Sequence, residues 1–145
     1  MSNIVFQADF GVNNGTAGLF GICKSVDMDL HLHVLTFDVE HFNMKQAADN
    51  ILDVYRHWPE GTIFANCVDP QTGVKHPYVC MALDNGSYVI SADNETTDLL
   101  KQAGVVKDTK DITAVCEEYM SHETTHLVHG REIAYAAALL GSGKL

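Results

Sequence analysis

A strand that ends abruptly in an acidic turn constrains this chain more than any other feature. Thr62-Ile63-Phe64-Ala65 is apolar and β-branched, which predicts a buried strand, and Val68-Asp69-Pro70-Gln71-Thr72-Gly73 follows it closely. Because Pro70 has no N–H and Gly73 tolerates a positive φ, the strand has to stop and turn there. Asp69 then lies at the carboxyl end of a strand, where open α/β sheets bind ligands. A solvated Asp-Pro turn is the alternative explanation.

Strands and helices alternate along the rest of the chain. Ile4-Val5-Phe6 and the segment from Leu32 to Phe37 are predicted strands. The residues after Asn43 repeat apolar side chains with helical period, and Asn43 is suited to cap that helix. Asp84-Asn85-Gly86-Ser87 predicts the turn of a hairpin. The alternation predicts an α/β fold for residues 1–145, a single-domain three-layer sandwich with a mainly parallel, mixed central sheet.

Four further segments have weaker patterns. The helix predicted from Asn13 to Val26 is rich in glycine, which indicates close packing or close ligand approach, or else a poorly formed helix. A short helix is predicted from Thr96 to Ala103. The polar residues from Lys107 to Asp111 are predicted to form a loop. The helix predicted from His129 to Leu140 is apolar nearly all round, so we expect it under the sheet or at a subunit contact.

The composition argues against several classes of function. A net charge of −10 disfavours nucleic-acid binding, because phosphate contacts need clustered lysine and arginine. The charge would suit a cationic small molecule, although an acidic surface more often serves solubility. The chain has no apolar run near the length of about 18 residues needed to span a membrane, and its first residues lack a signal-peptide pattern. We therefore expect a cytoplasmic protein with no membrane partner, whose four widely spaced cysteines are reduced.

His122-Glu123-Thr124-Thr125-His126 matches the metalloprotease pattern HExxH letter for letter. That chemistry needs both histidines on one helical face and the glutamate as general base, and His129 is placed to be a third ligand. Against it, Ser121 stands where a helix should already be running, the threonines are weak helix formers and Gly130 would end the helix. A zinc hydrolase built on His122, Glu123 and His126 is therefore an alternative, and we expect no metal there.

Four short motifs follow one another along nearly the whole chain. In order, the segments that carry them are Ala8-Asp9-Phe10-Gly11, Pro59-Glu60-Gly61-Thr62 with Val68-Asp69-Pro70-Gln71-Thr72-Gly73, Ala92-Asp93-Asn94-Glu95, and Val128-His129-Gly130-Arg131-Glu132. The set resembles the S-adenosyl-L-methionine (SAM) hydroxide adenosyltransferases, relatives of the fluorinase and chlorinase, whose motifs are TDFG, PxGT with VDPGVG, PDNG and FHGRD. Gln71 departs from the family, because it replaces a loop glycine.

The resemblance implies an enzyme that hydrolyses SAM at the ribose C5′, releasing adenosine and methionine. A family set of Asp, Arg and His is thought to activate water, and Asp69 and His129 match two of its members. The arginine would fall at His76, beside Lys75, so one of these two side chains would complete the hydrogen bonds. The pair His129-Gly130 implies water rather than halide as the nucleophile.

The resemblance also implies a set of substrate contacts and no separate cofactor. Asp9 would hold the ribose hydroxyls and Asn94 the polar groups of the substrate, with further contacts from Phe10, Lys75 and Arg131. Family members carry a second, β-barrel domain that holds the adenine, and the matched motifs belong to the first domain only. We therefore expect a homo-oligomer, as a trimer in the family, whose neighbouring subunit closes the site. The alternative is a non-catalytic nucleoside-binding or regulatory relative.

Overall fold

The computed structural model describes residues 2–69, 76–122 and 130–145 of the chain. Its strands are β1 (Asn3–Gln7), β2 (His31–Thr36), β3 (Ile63–Asn66), β4 (Tyr78–Leu83), β5 (Tyr88–Ala92) and β6 (Val106–Asp111). Its α-helices are α1 (Asn14–Val26), α2 (Met44–Val54), α3 (Glu95–Gln102), α4 (Thr113–His122) and α5 (Arg131–Gly141). A short 3₁₀ turn, Tyr55–His57, ends the run of α2 just before Pro59.

The strands form one mixed sheet in the order β2-β1-β3-β5-β4-β6. Strands β2, β1, β3 and β5 are parallel to their neighbours in that series, whereas β4 is antiparallel to both β5 and β6. The strand β4 is therefore the one reversed strand of the described sheet. The predicted α/β class with a mainly parallel, mixed sheet is confirmed.

Side-chain alternation along the strands divides the core between the two faces of the sheet. Ile4 and Phe6 of β1 pack in the same cluster as Leu19 of α1 and the alanines of α5. Val5 of β1 packs on the opposite face with Ile51 of α2 and with α3. Two helical layers thus cover the sheet, as the period-two pattern of buried strands requires.

Three asparagines begin helices that follow strands, and each caps its helix with its side chain. Asn13 accepts from the Gly15 N–H, and Asn43 accepts from the Gln46 N–H, as expected of the helix predicted there. Asn94 caps α3 by accepting from the Thr96 N–H. Such caps satisfy N–H groups that have no partner inside the helix.

Two expectations about local structure were wrong. The segment from Lys107 to Asp111 is not a loop, because it lies within β6 and pairs antiparallel with β4, where Met81 faces Thr109. This strand is an edge strand whose charged side chains point into solvent, so its sequence lacks the apolar pattern of a buried strand. The helix α4 runs through Ser121 to His122, so the argument that no helix leads into the HExxH pattern was also wrong.

The rest of that pattern, residues 123–126, lies outside the described residues, so the absence of zinc stays a prediction.

The helix α5 packs on β3 and on α1, and its buried alanines fill the space under the sheet. All four cysteines are buried and free. Burial raises the pKa of Cys23 and of Cys116 to about 12 and that of Cys80 to about 11. None of the described helices has the length and apolar character needed to cross a membrane.

Candidate functional site

The carboxyl ends of three neighbouring parallel strands meet at one edge of the sheet. Gln7, the last residue of β1, pairs with Asn66, the last residue of β3, and Asn66 pairs with Ser91 of β5. The three predicted site residues that follow these strands are Asp9, Asp69 and Asn94. The prediction that Asp9 and Asp69 share one edge of the sheet is confirmed; that both carboxyl groups face one cleft stays a prediction.

A ladder of buried amide and hydroxyl groups lies directly beneath this edge. Gln7 Nε2 donates to the Ala47 carbonyl of α2 at 3.0 Å and to Asn66 Oδ1 at 3.3 Å. Asn66 Nδ2 then donates to Ser91 Oγ at 3.0 Å. Because Gln7, Asn66 and Ser91 are buried and mutually hydrogen-bonded, they fix the strand ends relative to one another. The edge that carries the acidic residues is therefore rigidly supported.

Asp9 is anchored to the segment between β2 and α2. Its carboxylate Oδ2 accepts the Phe42 N–H at 2.8 Å and lies 4.0 Å from His41 Nδ1. The side chain is buried, whereas that of His41 is largely exposed. By accepting the Phe42 N–H, the Asp9 carboxylate fixes the backbone position of Phe42.

Phe42 is a residue of this site that the sequence did not single out. Its φ of 62° is the one positive φ of a non-glycine residue in the described part of the chain. A bulky side chain in this region costs about 1–3 kcal/mol, and such strain clusters at ligand sites. The ring is nevertheless 46% exposed and contacts only His41 among described aromatic rings, at 5.6 Å between centroids. The fold thus holds an aromatic side chain out into solvent, next to Asp9.

Asn94 and Phe10 both have structural partners in this region. Besides capping α3, Asn94 donates from Nδ2 to the Val68 carbonyl at 3.3 Å, so it links the exits of β5 and β3. The Phe10 ring packs 5.6 Å from that of Phe37. A Cβ at Gly15 would lie 3.0 Å from this ring, which explains one glycine of the predicted glycine-rich helix by close packing.

The first turn of α5 lies over the segment that leads to Asp69. Gly130 has a φ of 84°, and a Cβ there would stand 2.6 Å from Cys67 Sγ, so only glycine fits. Arg131 follows, and within the described residues its Nε is buried without a hydrogen-bond partner. Glu132 is buried and accepts a hydrogen bond from the Tyr78 hydroxyl at 3.2 Å. The start of α5 thus packs against Cys67, two residues before Asp69, and against Tyr78 at the start of β4.

The other predicted site residues are described only in part. His76 is partly buried and lies two residues before β4, at the same edge of the sheet. Lys75 and His129 lie outside the described residues, so the arrangement of the predicted water-activating set is not tested. Tyr78 and Glu132, like Phe42, come to the site through tertiary structure. Glu132 is the last residue of the fourth motif segment, whereas the sequence signal for Tyr78 is its proximity to His76.

Comparison with known proteins decides the family. The model of the SAM hydroxide adenosyltransferase N-terminal domain matches residues 4–145. The chain belongs to this family. The match covers the motifs on which the resemblance rested, and the family identification made from them is confirmed. SAM-utilising enzymes of this kind act on a small-molecule substrate.

Curated relatives of this SAM hydroxide adenosyltransferase domain match only part of the chain and are much longer than it. The fluorinase of Actinopolyspora mzabensis is 32% identical over 71 residues, which is 48% of this chain and 24% of that protein. The fluorinase of Nocardia brasiliensis is 28% identical over 85 residues, or 58% of this chain and 28% of that protein. The matched segments therefore span about a quarter of the length of these relatives.

Solved structures match the fold over nearly the whole domain. A crystal structure of an uncharacterized conserved protein from Thermotoga maritima has a TM-score of 0.84 at 23% identity, covering 97% of this chain and 54% of that one. A conserved hypothetical protein from Thermus thermophilus has a TM-score of 0.75 at 20% identity, covering 99% and 55%. At these identities the likeness concerns the fold alone.

Proposed function

We propose that this protein hydrolyses SAM to adenosine and L-methionine. The observation that carries the proposal is the pair of acidic residues, Asp9 and Asp69, just beyond the ends of adjacent parallel strands in a chain of this family. Carboxyl ends of parallel strands are the usual ligand site of open α/β sheets. Two carboxylates and a net charge of −10 also suit a substrate that carries a sulfonium cation.

The chemistry asks little of the protein beyond positioning and a base. A water oxygen bonds to the ribose C5′ while the C5′–S bond breaks, and the bonding electron pair leaves with sulfur, which becomes the neutral thioether of methionine. One proton of the water passes to a base. Because a sulfonium is already a good leaving group, no general acid is needed, and in-line orientation of the water is the main requirement.

The residues take roles that follow the family pattern. Asp69, paired with His129, is the proposed base for the attacking water, with His76 or Lys75 completing its hydrogen bonds. Asp9 is proposed to hold the ribose hydroxyls, next to the exposed ring of Phe42, which offers a flat apolar surface to a sugar or purine. Phe10, Asn94 and Arg131 are proposed as further substrate contacts, and the buried Nε of Arg131, which has no hydrogen-bond partner among the described residues, supports that role. No cofactor takes part.

The assay is the incubation of purified protein with SAM in water enriched in ¹⁸O, with products separated by chromatography and identified by mass spectrometry. Adenosine that carries the heavy oxygen at the 5′ position is expected. Asp69→Asn should reduce its formation by about 10²-fold or more, which is the scale of loss for a missing general base. Asp53→Asn, a change on the exposed side of α2, is the matched control and should leave the rate unchanged.

Two other outcomes would redirect the proposal. Parallel reactions with fluoride or chloride should yield no 5′-halogenated nucleoside; such a product would place the protein with the halide-using relatives. Binding of SAM by calorimetry without any nucleoside product would instead support the alternative, a non-catalytic nucleoside-binding or regulatory domain. The absence of both binding and turnover would refute the proposal.

We also propose that the active form is a homo-oligomer, with a trimer as the family pattern implies. A pocket usually buries most of a small ligand, so a second subunit that covers this edge would strengthen binding. Activity should then fall on dilution, by mass action. Sedimentation velocity at micromolar concentration measures the assembly, and a monomer with full, dilution-independent turnover would contradict the shared site.

A further inference from the structure

His41 lies beside Asp9 in a short turn whose backbone is held at two points. The Asn43 N–H donates to the Glu40 carbonyl at 2.9 Å, which closes a four-residue turn with His41 and Phe42 at its centre. Within that turn the Phe42 N–H donates to Asp9 Oδ2 at 2.8 Å. The backbone on both sides of His41 is therefore fixed relative to the Asp9 carboxylate.

The distance between the His41 and Asp9 side chains leaves room for one more oxygen atom. His41 Nδ1 lies 4.0 Å from Asp9 Oδ2, which is too long for a hydrogen bond. An oxygen about 2.8 Å from each of these atoms fits to one side of the line that joins them. The Asp9 side chain is 4% exposed and that of His41 is 72% exposed, so the pair has a buried end and an open end. This arrangement suits a ligand hydroxyl that enters from solvent.

The hydrogen-bonding capacities of the two side chains are complementary toward a hydroxyl. A carboxylate only accepts, so the hydroxyl gives its one proton to Asp9. The hydroxyl oxygen keeps lone pairs, which accept the N–H of an imidazole that carries its proton on Nδ1. We propose that His41 is a further substrate-binding residue, which donates from Nδ1 to a ribose hydroxyl held by Asp9. This inference rests on the proposed function, in which Asp9 holds the ribose hydroxyls.

The same geometry makes His41 a specificity-determining residue. Asp9 Oδ2 and His41 Nδ1 together take one hydroxyl, and Asp9 Oδ1, which accepts no hydrogen bond from the described residues, takes the neighbouring one. A substrate that lacks the first hydroxyl leaves both the imidazole N–H and a buried carboxylate without their partner. Sites built to hydrogen-bond a hydroxyl reject analogues that lack it. His41 therefore adds to the preference for a ribose with both hydroxyls.

The test combines variants of the protein with analogues of the substrate. His41→Ala should raise KM for SAM by about three- to tenfold, the range of one hydrogen bond, with kcat within about twofold. The 2′-deoxy and 3′-deoxy analogues of SAM identify the contacted hydroxyl. With the analogue that lacks it, His41→Ala should change KM by less than about twofold, because the contact is already missing. With the other analogue the full effect should remain.

Two further variants separate this contact from a general effect of the substitution. His41→Asn keeps an N–H donor at about the position of Nδ1, so its KM should stay within about twofold of the wild type. His31→Ala is the matched control, because His31 is also exposed but begins β2, at the end of the sheet opposite to Asp9. Its KM should equal that of the wild type with every substrate. Since all of these side chains are largely exposed, Tm should stay within about 2 °C of the wild type.

The outcomes distinguish the inference from the proposed function. An unchanged KM for SAM in His41→Ala, or an equal loss with SAM and with both deoxy analogues, would overturn the inference and leave the hydrolysis standing. If the wild type binds SAM without turnover, the hydrolysis is overturned, and the same comparisons of dissociation constants by calorimetry decide the role of His41. A wild type that neither binds nor hydrolyses SAM would overturn both.

Discussion

Replacing Phe42 should stabilise the protein and weaken its function at the same time. The ring occupies the left-handed region at φ 62°, where an L side chain costs about 1–2 kcal/mol. Asparagine tolerates this region far better than phenylalanine, so Phe42→Asn removes most of the strain. The Phe42 N–H that donates to Asp9 is a backbone group and survives the change. Because the ring is 46% exposed, little burial is lost with it.

The change in unfolding free energy is the strain relieved at Phe42 minus the burial lost with its ring. Relief of about 1–2 kcal/mol, less a few tenths for the partly buried ring, predicts a gain of about 1 kcal/mol in the free energy of unfolding. For a domain of this size the corresponding rise in Tm is about 3–5 °C. Urea denaturation followed by circular dichroism measures the first quantity and differential scanning calorimetry the second.

The matched control is Val12→Asn, which also replaces an exposed apolar residue near the same edge, but at an ordinary φ. It should leave the unfolding free energy within about 0.5 kcal/mol of the wild type. In the same samples, Phe42→Asn should raise KM for SAM by about fivefold, the loss expected for one aromatic contact of about 1 kcal/mol. Loss of stability in Phe42→Asn would show that the positive φ stores no strain. An unchanged KM would show that the ring does not meet the substrate.

Two further predictions concern stability. Gly130→Ala combines a positive φ with a Cβ only 2.6 Å from Cys67 Sγ, so it should destabilise the fold by about 2–4 kcal/mol. The control is Gly104→Ala, at φ 78° with open space around it, which should cost only the backbone strain of about 1–2 kcal/mol. Equal losses of unfolding free energy in urea titrations would refute the contact with Cys67. Stability should also fall as the pH rises from about 9 to 12. Burial raises the folded-state pKa of Cys23 and Cys116 from 9.0 to about 12. In that pH range the folded state therefore still holds thiol protons that the unfolded state has already lost, which favours unfolding. Cys23→Ala should flatten this dependence in urea titrations at a series of pH values, and an unchanged slope would contradict the assignment.

The elements that the sequence predicted correctly are those whose determinants are local. The Asn43 cap, the Asn-Gly turn between β4 and β5 and the apolar stripe of α2 each depend on residues within a turn or two of one another. The β6 strand does not: its exposed, charged residues become a strand only by pairing with β4, about 25 positions earlier in the chain. A sequence pattern carries no signal for such an edge strand, which explains the wrong prediction of a loop.

The same distinction applies to the candidate site. Asp9, Asp69 and Asn94 could be placed at one edge in advance, because each follows a strand and parallel strands end together. The strained backbone of Phe42 could not be predicted, since it follows from a hydrogen bond to a residue 33 positions away. The pairing of Tyr78 with Glu132 spans 54 positions and is equally invisible in the sequence.

The reversal of β4 also bears on how this site can change. The chain leaves the sheet at the end of β3, passes Asp69 and returns to the same edge at Tyr78, the start of β4. The eight residues between Asp69 and Tyr78, 70–77, therefore start and finish at one edge of the sheet. A connection of this kind can gain or lose residues without shifting the register of any strand, and lengthening it costs little loop-closure entropy. The chain therefore separates the part of the site that tolerates remodelling from the part that the sheet fixes. A change in the length of that segment leaves Gln7 and Asn66, at the ends of β1 and β3, in place.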